Sequence, residues 1–246
     1  MASPSVPANF RPLPKQDNYM VWDVVVRLTH WLNAVAIAIL LYTGFQIGGY
    51  VSRSPVDEPT FGFSMADMRQ WHTLAAYIFL FNGLLRVYWI WGGHTYGQWF
   101  RYHFWKLAFW KEISWKIKDY VSLKYVGRES YTLGHNALAS FAYVAVFFIG
   151  LVLVLTGFAM KGQIDPGGTL QTMFGWVIPL CGSDANVRMI HRFSMWLMIA
   201  FMIHHIGIVI LLESLGEGGL ISSMFSGMKT RPIGWHPTNE PWKDDH

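Results

Sequence analysis

Four apolar stretches constrain this 246-residue chain more than any other feature of it. A helix rises 1.5 Å per residue, so about 20 consecutive apolar residues cross the roughly 30 Å hydrocarbon core of a bilayer. Stretches of that length run from about Leu28 to Gly49, Met68 to Trp91, Asn136 to Met160 and Met189 to Leu212. Within lipid a backbone must satisfy its own hydrogen bonds, which leaves helices as the structure for such segments. The expected fold is an all-α integral membrane bundle of four transmembrane helices over residues 28–212, with an N-terminal segment (1–27) and a C-terminal tail (213–246). Composition agrees: charged residues make up 14% of the chain, against about 25% in soluble domains. Thirteen Trp, eleven Tyr and seventeen Phe suit the two lipid–water interfaces.

The first span is expected to be retained. Pro4, Pro7, Pro12 and Pro14 break up the segment before it, and no apolar core of a signal peptide precedes it. With an even number of spans both termini share a side with the central loop. That side carries thirteen Lys and Arg and the other carries five, Arg86 within the second span being left out. The positive-inside rule therefore places both termini and the central loop in the cytoplasm. The loop WFRYHFWKLAFWKEISWKIKDYVSLKY interleaves aromatic and basic residues at helical spacing, as a helix lying in the interface does. Beside four spans that mixture, like the net charge of +4, does not indicate nucleic acid. Cys181 is the only cysteine, which excludes disulfides, thiolate zinc sites and cysteine-ligated iron–sulfur clusters.

Ionisable residues at membrane depth are costly and mark function. His30, His72, His191, His204 and His205 lie within spans, and His135 stands at the entry to the third. Following the chain in and out of the membrane puts His30 near the cytoplasmic side and His72 and His191 near the outer side. His205 is fourteen residues beyond His191, about 21 Å along the axis and about 40° off the same face, whereas His204 is turned about 140° away. The pairs His30/His205 and His72/His191 thus form two layers about 20 Å apart, the arrangement that two bis-histidine haem b groups in a four-helix bundle require. By these span limits His30 lies about two residues into its helix and His205 about seven from the end of its own, a mismatch of about 7 Å. His135 is a rival ligand for the inner layer.

A neutral imidazole bound to iron through one nitrogen is expected to satisfy its other N–H on a carbonyl of its own helix. Arg27, Arg69, Arg188 and Arg192 lie near the two layers and are candidate partners for haem propionates. A lone intramembrane His is as often a contact between helices as a ligand. Four at two matched depths favour haem, and no span carries an internal Asp or Glu for proton relay or metal transport. His94, His103, His236 and His246 are read as solvated loop or tail residues, and the twelve Met as packing. Thr43-Gly44-Phe45 and Thr156-Gly157-Phe158 recur near the outer ends of the first and third spans, a hint of distant duplication. Their glycines allow porphyrin or a neighbouring helix to come close, and helix packing alone explains them equally well.

Through VRLTHWL, LLRVYW, GHNALA, TGFAM, HRFSMW and ISSMFSGMKT, the chain resembles the b-type cytochrome subunit of membrane-bound [NiFe] uptake hydrogenases, a family related to the gamma subunit of formate dehydrogenase. The resemblance covers about Val24 to Arg231. It departs where the family often has Trp in place of Thr29, and an Arg-Glu-Asp run in place of Leu212 and Glu213. The resemblance implies haem ligands on the first, second and fourth helices, again His30 with His205 and His72 with His191. It implies that hydrogen is oxidised by a separate large subunit, so that this chain carries no catalytic residue for it, and that electrons arrive from an iron–sulfur small subunit. They would pass from the outer to the inner haem and reduce quinone near the cytoplasmic face. There His135, Asn136 and His204 are candidates for the quinone site, Asn136 being favoured by the resemblance. The same architecture serves formate dehydrogenase or thiosulfate reductase, and a haem-free scaffold is a further alternative. A higher oligomer of the complex is left open.

Overall fold

The structure, a computed structural model, describes residues 16–49, 64–93, 104–122, 134–214 and 219–232. His94, His103, His236, His246 and most of both terminal segments lie outside the described residues. Four long helices dominate: α1 (Val24–Ile47), α2 (Ser64–Gly92), α4 (Ala137–Gly162) and α7 (Asp184–Ser214). All four are long and apolar enough to cross a membrane. Large apolar side chains such as Phe81, Leu84, Phe148, Ile203, Ile206 and Ile210 lie on their outward faces. In water these would form an aggregation-prone surface; in lipid they are the natural exterior.

Helix α1 packs along α2, and α4 along α7, as two pairs. Aromatic contacts join the pairs: Phe45 of α1 meets Trp196 of α7 at 5.7 Å, and Tyr77 of α2 meets Phe158 of α4 at 5.0 Å. The result is a four-helix bundle with two ends. One end carries the start of α1, the close of α2, the start of α4 and the close of α7, together with both described termini.

That terminal end is closed by structure that hydropathy does not signal. Strand β1 (Gln16–Met20) pairs antiparallel with β2 (Met228–Pro232), Asn18 opposite Thr230. Short helix α8 (Leu220–Ser226) sits under the strands. Its first turn donates N–H groups to the Glu213 carboxylate, from Leu220 at 2.8 Å and Gly219 at 3.2 Å, a capping use of charge at a helix start. Trp31 Nε1 donates to the Met224 carbonyl, and its ring stacks on Phe225. Asp23 caps α1 by accepting from Val26 N at 2.9 Å, and its other oxygen accepts from Trp89 Nε1 at 2.7 Å, pinning the end of α2 beside the start of α1. This cap starts α1 at Val24, four residues before the apolar stretch begins. His30 is thereby drawn deeper into its helix, and the depth mismatch with His205 shrinks.

In the central loop α3 (Leu107–Val121) is amphipathic. Phe109 and Ile113 are buried against Ala137 at the start of α4, while Trp105, Trp110, Trp115 and Val121 are exposed. Short helices α5 (Thr169–Phe174) and α6 (Val177–Cys181) cover the opposite end between α4 and α7. Because Phe109 is fully buried, Phe109→Ala should leave a cavity costing about 3–5 kcal/mol. Thermal denaturation of the detergent-solubilised chain should show a lowered Tm; an unchanged Tm would mean that α3 is not packed as described.

Candidate functional site

At the end away from the termini, two histidines are held in the same way. Thr43 Oγ1 lies 2.9 Å from His72 Nδ1, and Thr156 Oγ1 lies 2.9 Å from His191 Nδ1. Each threonine donates its one hydroxyl proton to a carbonyl a turn back on its own helix, Thr43 to Ile39 at 2.7 Å and Thr156 to Val152 at 2.6 Å. A hydroxyl has one proton to give, so each imidazole must be the donor. The proton of each neutral ring therefore sits on Nδ1, and Nε2 keeps a free lone pair, the form in which imidazole binds a metal. The expectation of a carbonyl on the histidine's own helix is corrected here: the acceptors come from the neighbouring helix, because the ring reaches across the pair.

The glycine after each threonine makes room for the ring. A Cβ at Gly157 would stand 3.2 Å from His191 Cε1, and one at Gly44 would stand 3.5 Å from His72 Cε1. The phenylalanine that follows forms the contact between helix pairs: Phe45 on Trp196, five residues past His191, and Phe158 on Tyr77, five residues past His72. The repeated Thr-Gly-Phe thus does the same three things on α1 and on α4, and the half of the bundle away from the termini is pseudo-twofold.

At the terminal end the pattern is asymmetric. His30 on α1 and His205 on α7 face each other with ring centroids 6.3 Å apart. Two imidazoles each bonded to one metal at about 2 Å have centroids on the order of 6 Å apart. His205 stacks on Phe201 a turn earlier, and His30 Nδ1 is buried without a partner. His204 is exposed on the outward flank of α7. The donor set fits haem: imidazoles with free lone pairs, relief of side-chain bulk beside them, and no cysteine ligand.

The other expected site residues have varied settings. Arg27 donates to the Phe225 carbonyl, tying α8 to α1. Arg188 pairs with Asp184 at 2.8 Å on the surface. Arg69 lines a cleft with Lys161 of α4 at the outer end, and Arg192 is exposed beside His191. Asn136 is the N-cap of α4: its Oδ1 accepts from Ala139 N at 2.8 Å and its Nδ2 faces the Tyr120 hydroxyl at 3.4 Å. His135 stacks on Tyr143 and lies against Trp22. Sequence reasoning missed Thr43 and Thr156 as histidine partners, although the Thr-Gly-Phe repeat carried the signal. It also set Arg86 aside, a residue that proves to be buried within the bundle.

The profile of the family described as prokaryotic cytochrome b561 matches residues 21–227. A probable Ni/Fe-hydrogenase B-type cytochrome subunit of Cupriavidus necator is 38% identical over 213 residues, covering 85% of this chain and 86% of the relative. The corresponding protein of Azotobacter chroococcum is 32% identical, covering 87% and 90%. The probable Ni/Fe-hydrogenase 1 B-type cytochrome subunit of Escherichia coli is 29% identical, covering 89% and 95%.

Replacing Thr43 or Thr156 by Val keeps shape but removes the acceptor, and should cost about 0.5–1.5 kcal/mol in denaturation measurements, while Ser should restore most of it. Val at Gly157 should destabilise more than Val at Gly44, in keeping with the closer approach of His191. Equal behaviour of Val and Ser at the threonines would show that the hydroxyls do not hold the rings.

Proposed function

The chain belongs to the prokaryotic cytochrome b561 family, and on that premise we propose that it is the membrane subunit of a [NiFe] hydrogenase, holding two haem b groups and delivering electrons to quinone. It is a multi-pass membrane protein, and haem b is its cofactor. The observation that carries the reading is the separation of four inward histidines into two sets at opposite ends of one bundle. His72 and His191 would hold one haem, and His30 and His205 the other. Haem b bound by two imidazoles supplies a reversible one-electron couple with no open coordination position, suited to electron transfer rather than oxygen chemistry.

The chain's own residues set the path. Thr43 and Thr156 fix the tautomer of the outer ligands, and the ring contacts of Phe45 with Trp196 and of Tyr77 with Phe158 join the two helix pairs. The bias of Lys and Arg supports a cytoplasmic terminal end, with α3 lying in that interface and the outer layer facing the periplasm. A periplasmic iron–sulfur small subunit, itself served by the large subunit that oxidises hydrogen, would deliver electrons to the His72/His191 layer. Quinone would be reduced near His30/His205. Of the three candidate quinone residues, Asn136 is engaged in capping, His204 faces the lipid from which quinone arrives, and His135 lies inside against Tyr143. His135 is the favoured proton-carrying group.

A pyridine haemochrome assay on the purified chain should give two b haems per polypeptide. His205→Ala should remove one and His204→Ala none. No haem in a folded preparation would overturn the proposal and leave a membrane anchor.

A further inference from the structure

Arg86 is a buried cation that the bundle does not answer. It lies in the apolar stretch of α2 with 8% of its surface exposed. Its Nε and Nη2 both donate to the neutral Tyr143 hydroxyl of α4, at 3.1 and 2.8 Å. Among the described residues its buried Nη1 has no partner and no carboxylate pairs with it. A guanidinium cannot shed its proton, and a lone charge at membrane depth calls for a counterion.

The pseudo-twofold relation fixes its level. His30 precedes Thr43 by thirteen residues, and Tyr143 precedes Thr156 by thirteen; Arg86 follows His72 by fourteen, and His205 follows His191 by fourteen. The Arg86–Tyr143 pair therefore occupies, across the bundle, the positions that His205 and His30 occupy on the other side. Asn82, one turn before Arg86, donates to the Thr29 carbonyl and to Asn33 Oδ1, both at 2.7 Å. This locks that level of α2 to the turn of α1 that bears His30. The other polar groups there are Asn33, Tyr143, His135 stacked on Tyr143, and His30 itself. None is anionic.

Resting on the haem reading above, we propose that Arg86, steadied by Tyr143, binds a propionate carboxylate of the haem held by His30 and His205. A planar group ligated from α1 and α7 presents its rim to α2 and α4, where this pair stands. A permanent charge needs a permanent counterion. Quinone is neutral and exchanges, whereas a propionate stays. Arg27, nearest to His30 in sequence, is only half-buried and donates to the Phe225 carbonyl at the terminal end, whereas Arg86 is buried within the bundle.

The test is an optical redox titration of the full-length chain with Arg86→Gln, Arg86→Lys and Tyr143→Phe, after quinone extraction and again with decylubiquinone added. The inner haem is identified as the one that His205→Ala removes. Loss of a buried cation favours the oxidised form, so Arg86→Gln should lower that haem's midpoint potential and leave the other unchanged, with or without quinone. Resonance Raman should show the propionate bending band shifted in the same variant. Arg86→Lys should keep the potential near wild type while still shifting that band, and it serves as the reading if Arg86→Gln does not accumulate. Tyr143→Phe should give a smaller shift of the same sign. An unchanged potential and band with both haems bound, or an effect seen only with decylubiquinone present, would overturn the propionate assignment. Absence of haem from the wild-type chain would instead sink the reading on which it rests.

Discussion

A polar group inside hydrocarbon has no water to fall back on, and the architecture follows from how that constraint is met at four histidines. On the outer side each ring gives its Nδ1 proton to a threonine whose own proton is already committed to its helix. That bond spans two helices, so it fixes the histidine tautomer and locks α1 to α2 and α4 to α7 at once. The glycine and phenylalanine that follow each threonine belong to the same device. One lets the ring approach, and the other carries the contact to the opposite pair.

The two ends of the bundle differ in how symmetric they are. The half away from the termini is built twice from one plan, with His72 of α2 and His191 of α7 held alike. The inner half breaks the plan: one side presents His30 and His205, and the other presents Arg86 and Tyr143. There a buried cation and a phenol stand where the other side has two imidazoles. The strands β1 and β2, helix α8 and the Asp23 cap hold this asymmetric end closed.

Much of this was legible in the sequence, and the part that was not has physical causes. Four helices followed from length and hydropathy because the bilayer imposes both. The choice of His205 as the residue facing His30, with His204 turned outward, follows from 100° per residue. The start of α1 at Val24 was not legible, since Arg27 interrupts the apolar run while Asp23 supplies the cap. Nor was the pairing of Gln16–Met20 with Met228–Pro232, which joins segments at opposite ends of the chain and leaves no local periodic trace. Asn136 reads equally as a cap or as a ligand-binding residue until its bond to Ala139 N is seen. Arg86 was passed over because orientation counting treats a charge inside a span as noise. Burial and an unpaired nitrogen are what bring it forward.

The proposed electron-transfer function requires two layers of paired imidazoles, and low-temperature EPR of the fully oxidised chain tests it most directly. Two distinct low-spin ferric signals, both of the bis-imidazole type, are predicted, because each layer supplies two nitrogen ligands and leaves no position open. A high-spin signal, or a single low-spin species in a preparation loaded with two haems, would contradict it.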